Sequence, residues 1–264
     1  MRFRLSVAGA VLLAAALPGC SHNAPKSKTS AEILLNERMA AVLLREGQAA
    51  EAERAYREVL KEDPNNPDLF DGLGSALLMQ GRPRDAVESF DKAVKIAPKK
   101  PNYRINRGLA YMSLSRYADA EEDFRVADAS SNPQDRLAAA INRGRLRQMQ
   151  GDYAGAEEQF SNALAHDPGS FAGRLGRGVA REAKGDLSGA AEDYLEAVRL
   201  DPKNADANLR LGLTLMDLKK ASLGCRYLQR AVESDPTGDA GAKARTVLES
   251  QPPPCEKSAS AKSF

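Results

Sequence analysis

The chain has 264 residues, a formal net charge of +2 and no tryptophan, and aromatic residues make up 5% of it. With 38 Lys and Arg against 36 Asp and Glu, the balance excludes the strong basic excess that is typical of nucleic-acid-binding proteins. A hydrophobic fraction of 42% is enough for a folded chain whose core is divided among thin packed layers.

The start of the chain has the layout of an export signal. Arg2 and Arg4 precede an apolar stretch over about residues 7–17, which is too short for a stable transmembrane helix. Residues 17–20, Leu-Pro-Gly-Cys, resemble a bacterial lipobox, although Pro18 departs from the usual small or hydroxyl residue. The resemblance implies that residues 1–19 are removed as a signal peptide and that Cys20 carries the lipid, palmitate included. An ordinary signal peptide with a chance cysteine is the alternative.

Residues 20–30 comprise this cysteine and a polar stretch without periodicity, which predicts a flexible tether. Ser21, after the cysteine, is similar to the residue that sorts lipoproteins to the outer membrane. The resemblance therefore implies a protein that is anchored in the outer membrane by lipid and faces the periplasm.

A repeat of 34 residues organises the chain from residue 31 to residue 250. Its second copy, residues 67–100, has small residues where two helices must touch, and an aromatic residue follows on the same face. Six copies share this register, with one longer interval between the third and the fourth. The first-helix column of small residues is Ala40, Gly74, Gly108, Gly144, Gly178 and Gly212, and the aromatic column is Tyr56, Phe90, Phe124, Phe160, Tyr194 and finally Leu228.

This pattern predicts an all-α fold, a right-handed α-solenoid of six tetratricopeptide-type helix pairs. The stretch from Asp239 to Ser250 predicts one further helix that caps the last pair. Residues 251–264 lose all periodicity, which predicts a mostly disordered tail that contains Cys255.

The cysteines suggest one covalent link. If Cys20 carries lipid, Cys225 and Cys255 are the thiols that remain in an oxidising periplasm. A disulfide between them is the economical interpretation, and two free thiols are the alternative.

The residues that enzymes need are not arranged as a site. His22 falls in the tether and His166 near the end of a helix, where a histidine is favourable for the helix itself. The glycine-rich stretches at residues 72–74 and 173–178 are explained by repeat packing rather than by phosphate binding. We therefore expect a non-enzymatic protein without metal, cofactor, nucleic acid or small-molecule substrate.

The first helices of this repeat architecture line a concave face, and residues spaced i, i+4 and i+7 on each helix are expected to form a partner-binding groove. Most of them are apolar, with Glu37, Asp71, Arg145, Gln148 and Glu182 among the exceptions. Any one of them has ordinary packing between helices as its alternative. The apolar groove residues are Leu44, Leu78, Ile105, Leu109, Met112, Ile141, Leu175, Val179, Leu209, Leu213 and Met216.

The whole arrangement resembles the type IV pilus pilotin family, the PilF, PilW and Tgl group, with the C-terminal cysteine pair most similar to the Tgl branch. The shared features are the lipobox, six repeats and an interruption between the third and fourth. Residues 106–108 and 142–144, both Asn-Arg-Gly, look like the Asn-x-Gly pairs of that family. Met112 and Leu146 stand where some members have cysteines, so no disulfide can be carried over to those positions.

The resemblance implies an outer-membrane lipoprotein that binds a PilQ-like secretin subunit and promotes its multimerisation, which supports pilus biogenesis and pilus-dependent motility. A different periplasmic repeat scaffold is the alternative, either a TadD-like lipoprotein of a Flp pilus or an adaptor for cell-wall enzymes.

Overall fold

The computed structural model describes residues 29–250, which form thirteen α-helices and no β-strand. The helices are α1 Ser30–Arg45, α2 Ala49–Glu62, α3 Pro67–Met79, α4 Pro83–Ile96, α5 Pro101–Ser113, α6 Tyr117–Asp128, α7 Pro133–Met149, α8 Tyr153–His166, α9 Phe171–Ala183, α10 Leu187–Leu200, α11 Ala205–Asp217, α12 Ala221–Ser234 and α13 Asp239–Ser250. The first twelve form six successive pairs, which we call units one to six.

Each helix packs chiefly against its neighbours in the chain, as expected for a solenoid. Consecutive first helices from α1 to α9 also approach one another, whereas no two second helices within residues 29–250 pack together to that extent. The more closely spaced row lies on the inside of a curve, so the first helices form the inner surface. At the end, α13 packs on α11 and α12, where Ala244 joins Leu228 and Ala231. The predicted all-α solenoid of helix pairs with a capping helix is confirmed.

The repeat columns meet in the core between the two helices of each unit. In units two to five, the aromatic ring of the second helix lies against the glycine of the first, so tightly that an added Cβ would overlap it. A Cβ at Gly74 would lie 2.6 Å from the Phe90 ring, and one at Gly178 would lie 2.6 Å from the Tyr194 ring. In unit six the same contact joins Gly212 to Leu228, at 2.8 Å. The glycines therefore make room for the side chains that fill each unit.

The two helices of each unit are joined by a turn with one residue in the left-handed region. Glycine occupies that place in units one, two, four and five, because its missing Cβ removes the steric penalty of a positive φ. Ser115, at φ 57°, and Lys219, at φ 61°, hold it in units three and six. These two turns fold in spite of an unfavourable residue.

The interruption between units three and four lengthens a helix. The repeat register places the start of unit four near Leu137, but α7 begins at Pro133 and runs for 17 residues. The side chain of Asn132 accepts a hydrogen bond from the backbone N–H of Gln134, and Pro133 supplies a fixed φ in the first turn. These two residues start the helix a full turn before the repeat pattern does.

Candidate partner-binding groove

The predicted groove residues lie along the first helices, but the structure divides them by exposure. Three are buried: Ile105 and Met112 join the core of units one to four, and Leu209 packs beneath the capping helix. Their side chains are packing residues that offer little surface to a partner. The others remain partly exposed, namely Leu44, Leu78, Leu109, Ile141, Leu175, Val179, Leu213 and Met216. We call these eight the inner groove; their role in binding stays a prediction.

The C-terminal part of the inner groove contains a depression of about 260 Å³ between α7, α9 and α11. Leu175 and Val179 form its apolar floor, and Arg145 and Gln148 stand at its α7 side. The Nε2 of Gln148 donates a hydrogen bond of 3.1 Å to the carbonyl of Gly176, which ties α7 to α9. The depression thus has a fixed wall and an apolar base.

Carboxylates stand beside the N-terminal part of the inner groove. Asp71 of α3 accepts a hydrogen bond of 2.9 Å from the Asn106 amide of α5, and Glu37 of α1 lies, like Asp71, near Tyr56 of α2. Burial raises the pKa of Asp71 to about 6, and the Asp68 charge adds to this, while the Asn106 hydrogen bond opposes it. Burial likewise raises the pKa of Glu37, with Asp68 and Asp63 as further causes. Neither carboxylate forms an ion pair with any residue in the range 29–250.

In units three and five, a buried aspartate of the second helix forms ion pairs with arginines of the first helix. Asp123 of α6 pairs with Arg107 at 2.7 Å and Arg104 at 3.1 Å, and Asp193 of α10 pairs with Arg177 and Arg181 at 2.7 and 2.9 Å. Because both carboxylates are almost fully buried, these contacts fix the helix pairs rather than offer a binding site.

Unit four carries the neutral Gln159 at the equivalent place, and there Arg143 turns to Glu121 and Asp128 instead. The arginine of each Asn-Arg-Gly or Gly-Arg-Gly triplet therefore links its first helix to a second helix.

The structure shows an apolar row that sequence reasoning missed. Leu35, Met39 and Val42 follow one another at i, i+4 and i+7 on α1 and are 58, 56 and 44% exposed, with Leu34 beside them at 47%. The spacing is visible in the sequence, but the same spacing marks an ordinary core-facing stripe. Only the position of α1 at the end of the described solenoid leaves the row uncovered.

The cysteine predictions fall mostly outside the described residues. Cys20 and Cys255 lie beyond them, so lipidation and the proposed disulfide stay predictions. Cys225 lies in α12 with 3% of its surface exposed. Across residues 29–250 no cluster of His, Cys, Asp and Glu is arranged to hold a metal ion. Over the same span, no helix combines the length and hydropathy of a membrane-crossing segment.

Comparison with solved structures finds the same architecture elsewhere. Pseudomonas aeruginosa PilF has a TM-score of 0.68 and 17% identity, over 81% of this chain and 97% of that one. PilW, described as a widely conserved type IV pilus biogenesis factor, has a TM-score of 0.71 and 21% identity, over 83% of this chain and 100% of that one. Yeast Tom70 has a TM-score of 0.67 and 17% identity, over 82% of this chain but 46% of Tom70. At these identities the likeness shows the fold alone.

Family models agree with this architecture. Two models, both described as tetratricopeptide repeat, match residues 43–105 in the first case and residues 141–205 and 185–239 in the second. A search of curated proteins gives no significant match. The matched segments lie on both sides of the interruption and coincide with the helix pairs seen in the structure. The chain is therefore a tetratricopeptide-repeat protein.

Proposed function

We propose that this protein is a pilotin, an outer-membrane lipoprotein that binds a PilQ-like secretin subunit and promotes its multimerisation for type IV pilus biogenesis. The proposal is supported by how much of two solved proteins, PilF and PilW, the solenoid of this chain covers. The solenoid covers nearly the full length of PilF and all of PilW, whereas it covers less than half of Tom70. A solenoid that spans these two proteins from end to end supports a role of the same kind.

The surface chemistry supports a partner held by apolar contact. The inner groove presents leucines from adjacent first helices, and burying one such side chain contributes roughly 1.5 to 3 kcal/mol before ordering costs. The proteins of this repeat class bind protein segments along such rows of helices. An apolar or amphipathic segment of the secretin subunit is the proposed occupant.

The protein would act by placement rather than by chemistry. In the proposed arrangement the lipid at Cys20 keeps the solenoid next to the outer membrane, since a tether of about ten residues has an r.m.s. reach of roughly 17 Å. Secretin subunits captured in the groove are then concentrated at the membrane in which they must assemble.

Leu109→Asp in the full-length protein tests the groove. Leu109 is partly exposed on α5, so the substitution puts a charge into the contact surface without filling a buried site. Leu60→Asp is the matched control, because Leu60 packs partly exposed against the same core but belongs to the second helix α2.

We expect Leu109→Asp, but not Leu60→Asp, to reduce heat-resistant secretin multimers in cells at equal protein levels and similar thermal unfolding. Normal multimers with a folded Leu109→Asp protein would remove this part of the groove from the mechanism.

The alternative, a general periplasmic scaffold, predicts different outcomes of two further measurements. Deletion of the gene would leave secretin multimers unchanged, and a pull-down from membranes would recover another partner.

A further inference from the structure

The charged residues along the inner groove are paired within the protein in some places and left unpaired in others. Arg210 of α11 forms ion pairs with Asp206 at 3.0 Å and Glu182 at 3.7 Å, and Glu182 also accepts a hydrogen bond from Tyr194. Arg210 therefore has its carboxylate partners within the protein. Among residues 29–250, Glu37, Asp71 and Arg145 have no such partners.

Arg145 differs from the other arginines of the first helices around it. Those of α5, α9 and α11 each meet a carboxylate, whereas Arg145 is exposed and its only polar contact in residues 29–250 is a long one of 3.4 Å to Asn142. It stands at the edge of the depression floored by Leu175 and Val179. An exposed guanidinium beside an apolar floor is suited to an acidic group of a ligand.

At the N-terminal end of the inner groove, two acidic side chains form no ion pair within residues 29–250. Glu37 of α1 and Asp71 of α3 both lie near Tyr56 of α2, and Asp68 is close to each of them. Among residues 29–250, Arg38 is the cation whose charge acts on Glu37, and the two form no ion pair. Asn106 is the single hydrogen-bond donor to Asp71, and it is neutral. Two partly buried carboxylates that form no ion pair within the described solenoid are complementary to a basic side chain.

We propose that the inner groove binds a partner segment with an apolar centre, a Lys or Arg that pairs with Glu37 and Asp71, and an acidic group that pairs with Arg145. This rests on the proposed use of the groove for partner binding and adds the chemistry of the partner. Leu109 lies on α5, the helix between the two charged ends, and takes the apolar centre together with Leu78 of α3.

The spacing of the two charges in the partner follows from helix packing. From α3 to α7 there are two steps between neighbouring first helices, roughly 16 to 20 Å at the usual interaxial distance. An extended segment covers this length in about five or six residues, and a helical one in roughly 11 to 13. We therefore expect the basic and the acidic residue of the partner to be separated by about five or six positions in an extended segment and by roughly 11 to 13 in a helix.

Selection from a random library tests this without any assumption about the partner. A phage-displayed library of random peptides, roughly 16 residues long so that a helical spacing fits, is panned against the full-length protein and against the Arg145→Glu variant. The matched control is Arg84→Glu, which makes the same charge change at an exposed residue of the second helix α4.

We expect the wild type and Arg84→Glu to select apolar peptides with one basic and one acidic residue at such a spacing. Arg145→Glu should select two basic residues instead. A resynthesised wild-type peptide should lose about three- to tenfold in affinity on Arg145→Glu and about two- to fivefold on Asp71→Asn, as expected for partly exposed pairs.

The proposal is overturned if the library yields no binding peptides, or if the selected peptides lack the charge pair or keep it with Arg145→Glu. The result is independent of the secretin. Selection of the charge pair together with normal secretin multimers in a deletion strain would keep this groove chemistry and reject only the secretin as partner.

Discussion

Gly108 leaves room for the Phe124 ring in the core of unit three, since a Cβ on residue 108 would lie 2.5 Å from Cε1 of that ring. The ring is completely buried, and protein cores are packed as densely as organic crystals, so the ring cannot move aside without cost. We therefore expect Gly108→Ala to destabilise the protein by about 1 to 3 kcal/mol despite the better helix propensity of alanine.

Chemical denaturation of Gly108→Ala, Phe124→Leu and the double variant measures this. Unit six pairs a glycine with Leu228 at the same place, so a leucine fits the column. The double variant should be more stable than the sum of the two single losses predicts. Strict additivity would show that the two residues do not compete for space.

Lys219→Gly should stabilise the protein. Lys219 lies at φ 61° in the turn between α11 and α12, where a side chain costs roughly 1 kcal/mol relative to glycine. Gly185→Ala is the converse control, because residue 185 has φ 84° and no atom within 4 Å of an added Cβ, so only the backbone conformation is changed. Thermal unfolding should rise for the first variant and fall for the second. Equal melting temperatures for Lys219→Gly and wild type would show that the positive φ of Lys219 does not strain the folded protein.

Much of this fold is predictable from the sequence because it repeats. The small and aromatic columns recur with the period of the chain, so the repeat register alone pairs Gly108 with Phe124. The start of α7 at Pro133 does not follow from the register, because a local cap by Asn132 prevails over the repeat there.

The groove is predictable only in outline. A stripe at i, i+4 and i+7 identifies one face of a helix, but Ile105 and Met112 on that stripe are buried by neighbouring helices while Leu109 is partly exposed. The contact of Asp71 with Asn106 joins two different units, which no local pattern reveals.

Asp71 should make stability depend on pH. Its pKa is raised from 3.8 to about 6 in the folded protein, so between these values the folded state binds more protons than the unfolded state. Stability should therefore fall as pH rises from about 4 to 6, by roughly 2 to 3 kcal/mol for this group. Below that window the contribution is fully present, and above it the contribution is lost.

Urea unfolding of the wild type and of Asp71→Asn across pH 4 to 7 isolates this effect. Asparagine keeps an oxygen that accepts the hydrogen bond from Asn106 but cannot ionise, so the difference between the two proteins should change across the window. Parallel profiles would show that Asp71 titrates normally.

The proposed disulfide between Cys225 and Cys255 should stabilise the end of the solenoid. Closing a loop of about 31 residues contributes roughly 3 to 4 kcal/mol in the chain-entropy model. Mass spectrometry of the native protein after alkylation, with and without reduction, should show both cysteines protected until reductant is added. Full alkylation of the unreduced protein would reject the pair.

Photocrosslinking in cells tests directly whether the inner groove holds a secretin subunit. A photoreactive amino acid replaces Leu109 in one strain and Leu60, on the second helix α2, in another, and the crosslinked proteins are identified by mass spectrometry. If the inner groove captures the secretin, residue 109 should give an adduct with a secretin subunit and residue 60 should give none. Secretin adducts at equal yield from both positions, or none from residue 109, would contradict capture of the secretin by the inner groove.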